Sequence, residues 1–242
     1  MEWRDIGIVL AVRRHGETSA IAEILTESRG RCLGLVRGGR SRTMRPVLQP
    51  GNVVQATWRA RLDEHLGNFS IEPLNALAGM LIDDPVRLAG LMTLAAHSQL
   101  LPEREPHARL YAATRVLLDA LSDDSFWTPL LVRWELGLLD ELGFGLDLSR
   151  CAATGTHEDL IYVSPRTGRA VSGAAGEAYK EKLLRLPAFL RGSQAATPDT
   201  QDILDGFRLT GFFLMRHVFE PRGVGMTDAR ERIVSHASQS TH

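Results

Sequence analysis

Apolar residues in the first third of the chain fall in five short runs, at 6–12, 19–26, 31–36, 52–58 and 66–71, bounded by glycine or polar turn-formers. Runs of this length, rich in Ile, Val, Leu and Thr, predict β-strands. Gly16 with Glu17, and Glu27-Ser28-Arg29-Gly30, supply the first two turns, and Gly30 can take φ > 0. Five short strands joined in this way predict a small barrel of the OB-fold type. The third connection, 37–51, is long and rich in Gly, Pro and Arg. A loop of that length in a compact barrel is either functional or disordered.

From Asp84 the apolar spacing changes to that of helices. Pro85 after Asp84 suits a helix start, and Leu88, Leu91, Met92, Ala95 and Ala96 recur along the segment. A second helix opens at Pro106; a third spans 126–142, closed by Gly143; a short one spans 177–184. Asp83-Asp84 and Asp123-Asp124 read as caps and dipole partners rather than paired catalytic acids. Thr197-Pro198-Asp199 caps a final long helix to about Val218, stopped by Pro221. Residues 150–176 read as an irregular, hairpin-like insertion, and 227–242 as a frayed polar tail. The predicted class is α+β: an N-terminal five-stranded OB-fold barrel over 1–79, then an all-helical C-terminal domain over 80–242.

Composition narrows the function. The apolar and charged fractions, 44% and 24%, are those of a soluble globular protein. No apolar run reaches membrane-spanning length, and Met1-Glu2-Trp3-Arg4-Asp5 lacks the basic-then-apolar pattern of a signal peptide. A cytoplasmic protein without membrane contact is expected. Two cysteines, Cys32 and Cys151, exclude a disulfide framework and a four-cysteine zinc site. Among the 28 basic residues only Lys180 and Lys182 are lysines, which reads mostly as coding bias.

The net charge of −1 hides an asymmetry. Residues 1–79 carry 11 Arg against 8 Asp or Glu, and the remainder 17 Lys or Arg against 21 acids, so the two parts stand at +3 and −4. Between Arg29 and Arg45 there are six arginines (29, 31, 37, 40, 42 and 45) and no acid. A near-neutral protein with one strongly basic segment predicts a confined anion-binding surface. The candidate residues are Arg37, Gly38, Gly39, Arg40, Arg42 and Arg45, the glycines letting backbone N–H groups approach phosphates. Arg13, Arg14 and Arg59 extend the face; Arg61 is diluted by Asp63 and Glu64. The plain alternative is a solvated charged loop. Trp3, Trp58 and Phe69 are the candidates for base stacking; Phe69 suits a core position better, and Trp58 suits either role.

The succession of patches resembles the RecO family of recombination mediators. The similar stretches are Asp5-Ile6-Gly7-Ile8-Val9-Leu10, Glu23-Ile24-Leu25-Thr26, Gly34-Leu35-Val36-Arg37-Gly38-Gly39-Arg40 and Gln49-Pro50-Gly51. Later come Trp134-Glu135-Leu136-Gly137-Leu138-Leu139, Leu142-Gly143-Phe144 and Cys151. The resemblance implies an OB-fold before a helical domain, binding of single- and double-stranded DNA, and annealing of complementary strands. It also implies partnership with RecR and single-stranded-DNA-binding protein, and indirectly with RecA, during loading of RecA. Many members of the family hold zinc through two Cys-x-x-Cys pairs. The matching positions here are Cys151, Thr154, Ser172 and Ala175, which implies a degenerate, metal-free zinc-finger-like hairpin at about 150–176. His157 and Asp159 are nearby without completing a ligand set.

No phosphate-binding glycine fingerprint, nucleophile elbow or His-carboxylate pairing at ligand spacing occurs, so no catalytic residue and no cofactor is expected. The apolar last helix, with Ile203, Phe207, Leu209, Phe212, Phe213, Leu214 and Val218, reads as core, part of which could line a groove for a partner peptide. A DNA-binding mediator is the leading reading. An RNA-binding OB module and an enzyme with an unrecognised site remain as alternatives, separable by DNA–RNA competition and by a deep pocket of titratable groups.

Overall fold

A computed structural model describes residues 1–62, 64–123, 126–191 and 197–239. Asp63, the Asp124 half of the predicted cap pair and the last three residues of the predicted tail lie outside the described residues. The chain divides into two compact units, Met1–Ser125 and Phe126–His242.

The first unit is built on five strands: β1 (Glu2–His15), β2 (Ser19–Thr26), β3 (Gly30–Val36), β4 (Val53–Arg59) and β5 (Asn68–Asn75). They form a closed barrel in the order β1-β2-β3-β5-β4. One long strand makes this closure possible. The first half of β1 pairs with β4, from Glu2↔Arg59 to Ile8↔Val53. From Gly7↔Thr26 to His15↔Ser19 β1 pairs with β2, across a bulge between Val9 and Ala11 that bends the strand. The barrel is sealed by β3 and β5, which run parallel and meet at one residue pair, Leu35↔Asn68. Inside lie Val9, Ala20, Ala22, Ile24, Cys32, Val36, Val54, Ala56, Trp58 and Phe69. The small alanines leave room for the two large rings, as the taper of a narrow barrel requires.

The segment between β3 and β4 is neither open nor loose. It winds through turns held by Ser41 N→Gly38 O, Arg45 N→Ser41 O and Leu48 N→Met44 O hydrogen bonds. Leu48 is buried in the barrel core, and Met44 and Val47 pack against it. Asn52, predicted to begin β4, instead anchors this lid. Its amide donates to Pro46 O and Val47 O at 2.8 and 3.1 Å, and its Oδ1 accepts from Ala78 N at 3.0 Å.

After β5 come α1 (Leu77–Met80), α2 (Pro85–Ser98) and α3 (Ala108–Asp123). Asp84 caps α2, accepting from Val86 N and Arg87 N while Arg87 Nε donates to its second oxygen at 2.7 Å. The backbone bond from Arg87 is the largest cause that holds the Asp84 carboxyl below its ordinary pKa. The predicted boundary at 79 separates the barrel from these helices, whereas packing joins them to it. Arg31 ion-pairs with Glu23 at 2.6 Å and donates from Nε to Leu101 O, Arg104 N donates to Arg31 O, and the Tyr111 hydroxyl donates to Ile6 O. Arg31 is therefore committed to holding the fold.

The second unit contains α4 (Trp127–Glu141), β6 (Leu160–Val163), β7 (Ala170–Ser172), α5 (Gly173–Gly176), β8 (Leu184–Arg185), α6 (Thr200–Leu214) and α7 (Asp228–Gln239). It is not wholly helical: β6 pairs with β7 as the expected hairpin, and β8 adds a third strand. Residues 177–182 form a tight 3-10 turn in place of the predicted short helix. Asp199 caps α6, accepting from Asp202 N at 2.8 Å. Beyond Leu214 the helix widens into a π turn over Met215–Phe219 and tightens at Glu220–Arg222, before Gly223 turns left-handed at φ 68°.

The predicted frayed tail is overturned for 228–239, which form α7. Its composition is polar, but Ile233 and Arg230 are buried, at 1% and 5% exposure. Arg230 reaches Glu135 of α4, itself fully buried, with Nε to Oε1 at 2.7 Å and Nη2 to Oε2 at 3.0 Å. Thr210 Oγ1 also donates to Glu135, and Arg230 Nη2 to Phe207 O at 2.8 Å. Gly211 makes the space: a Cβ there would sit 3.0 Å from Arg230 Nη1.

Candidate nucleic-acid interface

The barrel places the predicted arginines on two sides of the lid. Arg14, Arg40, Arg45 and Gln49 border a depression of about 260 Å³ beside the β1–β2 hairpin. Arg37 and Arg59 border a larger cleft of about 420 Å³. Arg42 is exposed and borders neither. Arg13 neighbours Arg14 on a strand, so it points to the opposite face and does not join the depression. Among the described residues, Arg13, Arg14, Arg37, Arg40, Arg42 and Arg45 form no ion pair. Charge is therefore available on this surface.

Two of the predicted roles change. Arg40 is half-buried and acts as a staple: its backbone N donates to Thr18 O at 3.0 Å and Nη1 to Gly16 O at 2.7 Å, tying the lid to the hairpin. Gly39 is buried, and its N–H is spent on Val36 O at 3.2 Å, so it has none to offer a phosphate. What requires glycine at 39 is crowding, since a Cβ would lie 2.9 Å from Ala20 Cβ. Gly38, at φ 66° with nothing near its Cβ position, is the turn glycine. Arg59 is paired with Glu2 at 2.8 Å, both exposed; the hydrogen bond is the largest cause that raises the arginine's pKa and lowers the carboxyl's.

Trp58 belongs to the core at 2% exposure, its Nε1 donating to Leu66 O and Leu33 O. Phe69 is buried as expected. Trp3 is half-buried, stacked on Trp58 at 5.8 Å and edge-on to Phe69 at 5.9 Å. Sequence reading missed Arg104, whose guanidinium lies 6.0 Å from the centre of the Trp58 ring. No local pattern signals it, because it comes from the segment between α2 and α3.

Three of the four zinc-like positions, Cys151, Thr154 and Ser172, converge, but as a hydrogen-bonded cluster. Cys151 Sγ accepts from Ser172 N at 3.3 Å and from Ser172 Oγ at 3.4 Å. Burial raises the thiol's pKa, and the bonds from Ser172 and Thr154 outweigh it, bringing it down to about 6. Thr154 and Ser172 thus act as donors to sulfur, not as ligands, and Ala175 has no ligating atom. His157 Nδ1 is engaged with Ser149 O at 2.7 Å, and Asp159 accepts from Gly173 N at 3.1 Å. Among the described residues, no three His, Cys, Asp or Glu side chains gather to hold a metal ion. This donor set does not fit zinc, which needs four N, S or O ligands. Elemental analysis is expected to return well below one zinc per chain; a tightly held stoichiometric zinc would mean that His157 and Asp159 leave these bonds.

No described helix is long and apolar enough to cross a membrane. The model of the recombination protein O N-terminal domain matches residues 1–76, and that of the C-terminal domain residues 83–224. The chain is 57% identical over 230 residues to the DNA repair protein RecO of Mesorhizobium japonicum, covering 95% of this chain and 91% of that one. It is 55% identical over 239 residues to the RecO of Methylobacterium nodulans, covering 97% of each, and 54% identical over 239 residues to that of Rhizobium etli, covering 98% and 93%. On the strength of both domain matches and these near-full-length relatives, the chain belongs to the recombination protein O family.

Proposed function

We propose that this protein acts in DNA repair by homologous recombination as a non-enzymatic mediator. It binds single- and double-stranded DNA on the lid face of the barrel and anneals complementary strands. With RecR it helps load RecA onto strands coated by single-stranded-DNA-binding protein. The observation that carries the DNA-binding part is the set of arginines without ion pairs fixed on and beside the lid. Family membership supports the repair role, and the partnerships rest on the resemblance alone.

The physical logic needs no covalent step. Two complementary strands repel one another through their phosphates. A surface that replaces their counterions with guanidinium groups lowers that repulsion, and base pairing then does the rest. In a strand-annealing assay, the protein is expected to accelerate duplex formation at low salt and to lose that effect as salt rises. An RNA strand of equal length is expected to compete less well than DNA. RNA preference, or no acceleration at any salt, would turn the reading toward an RNA-binding module.

A further inference from the structure

We propose that the cleft between β3 and β5 is a pocket for one unstacked nucleotide of a DNA single strand, its floor taking the base and its arginines the phosphates. The proposal deepens the DNA-binding reading above and rests on it. Beyond the single pair Leu35↔Asn68 the two strands part, and the gap they leave is the cleft of about 420 Å³. That volume falls within the roughly 300–1,000 Å³ of small-ligand sites.

Its lining is graded in chemistry. The floor is apolar: the half-buried Met44 and Ile71, backed by Val36 and Phe69 of the barrel core. The rim is polar: Thr57, Asn68 and Ser70. The registers Thr57↔Ser70 and Arg59↔Asn68 set the rim residues and Arg59 side by side on β4 and β5, with Arg37 entering from the lid. A nucleotide has the same three parts. Its base offers an apolar face to the floor, its ring edges match amide and hydroxyl groups, and its phosphate matches a guanidinium. A duplex presents its phosphates outward and keeps its base faces stacked inside. It can reach the arginines and cannot reach the floor, so the cleft distinguishes single from double strands.

The Glu2–Arg59 pair adds a second element. Glu2 accepts from Arg59 Nη2 at 2.8 Å, so a phosphate that takes up this nitrogen competes with an intramolecular carboxylate. Glu2 is a built-in competitor at the cleft's edge.

The test uses the full-length chain, a labelled oligothymidylate of about 15 residues, and a duplex of equal length, with fluorescence anisotropy at fixed salt. Ser70→Leu fills the cleft from an exposed position. It is expected to weaken single-strand binding about tenfold and to leave duplex binding within about twofold. Glu2→Gln is expected to strengthen single-strand binding about threefold, and that gain should vanish in the Ser70→Leu background, because both changes act on one site. Equal losses for both DNAs, no loss for either, or a Glu2→Gln gain that persists beside Ser70→Leu would overturn the pocket and leave a plain cationic surface. If Ser70→Leu fails to fold, Asn68→Leu fills the same cleft from another exposed rim position. A wild-type chain that binds neither DNA would overturn the DNA-binding reading itself.

Discussion

Replacing Arg230 with alanine is expected to destabilise the second unit by about 3–5 kcal/mol, the usual cost of removing one partner of a buried ion pair. Glu135 is fully buried, and Arg230 meets both of its oxygens. Without the guanidinium, the carboxylate loses a bond at each oxygen, in surroundings that solvate charge poorly. Phe207 O also loses a donor. Replacing the pair together, as Glu135→Leu with Arg230→Met, is expected to recover most of the loss, since no unpaired charge then remains. Arg230→Lys should fall between, because an ammonium is a point charge and cannot reproduce the guanidinium fork. Urea unfolding of the four proteins measures all of this; a cost below about 1 kcal/mol for Arg230→Ala would show that α7 contributes little to the unit.

Replacing Arg37, Arg42 and Arg45 together with alanine is expected to lower the slope of log K against log salt by roughly 0.7–0.9 for each arginine that neutralises a phosphate. Affinity should fall about equally for different base sequences, because phosphate contacts carry little sequence information. Annealing should fall with it. These three side chains are exposed and form no ion pair, so stability should change by no more than about 0.5 kcal/mol. Arg40 is kept out of the set, because its bond to Gly16 O and its half-buried position give it a share in the fold. Arg40→Ala should cost about 0.5–1.5 kcal/mol in stability as well as some affinity. A folded triple variant with unchanged affinity and slope would remove the lid as the DNA site.

The barrel was legible because each strand announces itself locally. Alternating or continuous apolar runs end at glycine turns, and four of the five predicted runs lie wholly inside a strand or within one residue of it. The basic segment was also legible, since charge in sequence needs no partner to be noticed. The sequence does not show which arginines are already used. Arg31 is held by Glu23 and Leu101, Arg40 by Gly16, and Arg59 by Glu2, and each partner comes from elsewhere in the chain. The same non-locality hid α7. A polar dodecamer reads as a tail unless one knows that Arg230, one of its two arginines, meets a buried glutamate from α4. That glutamate sits inside the Trp134-Glu135-Leu136 patch that carried part of the family resemblance, where nothing in the local pattern reveals its partner. Trp58, open between two roles in sequence, was settled by the Leu66 and Leu33 carbonyls that accept from its indole.

The lid has a consequence for the rate of recognition. Met44, Val47 and Leu48 plug the barrel with the same segment that carries Arg37, Arg42 and Arg45 outside. The charged surface therefore cannot rearrange without opening the core beneath it. The backbone's conformational entropy is lost when the protein folds and not when DNA arrives, so the ordering cost left on the protein side is that of the arginine side chains. Association with a nucleic-acid chain is then limited by diffusion and long-range attraction, with no slow loop-closing step on the protein side. The lid backbone supplies a fixed base, over which the strand and the exposed arginine side chains adapt to one another.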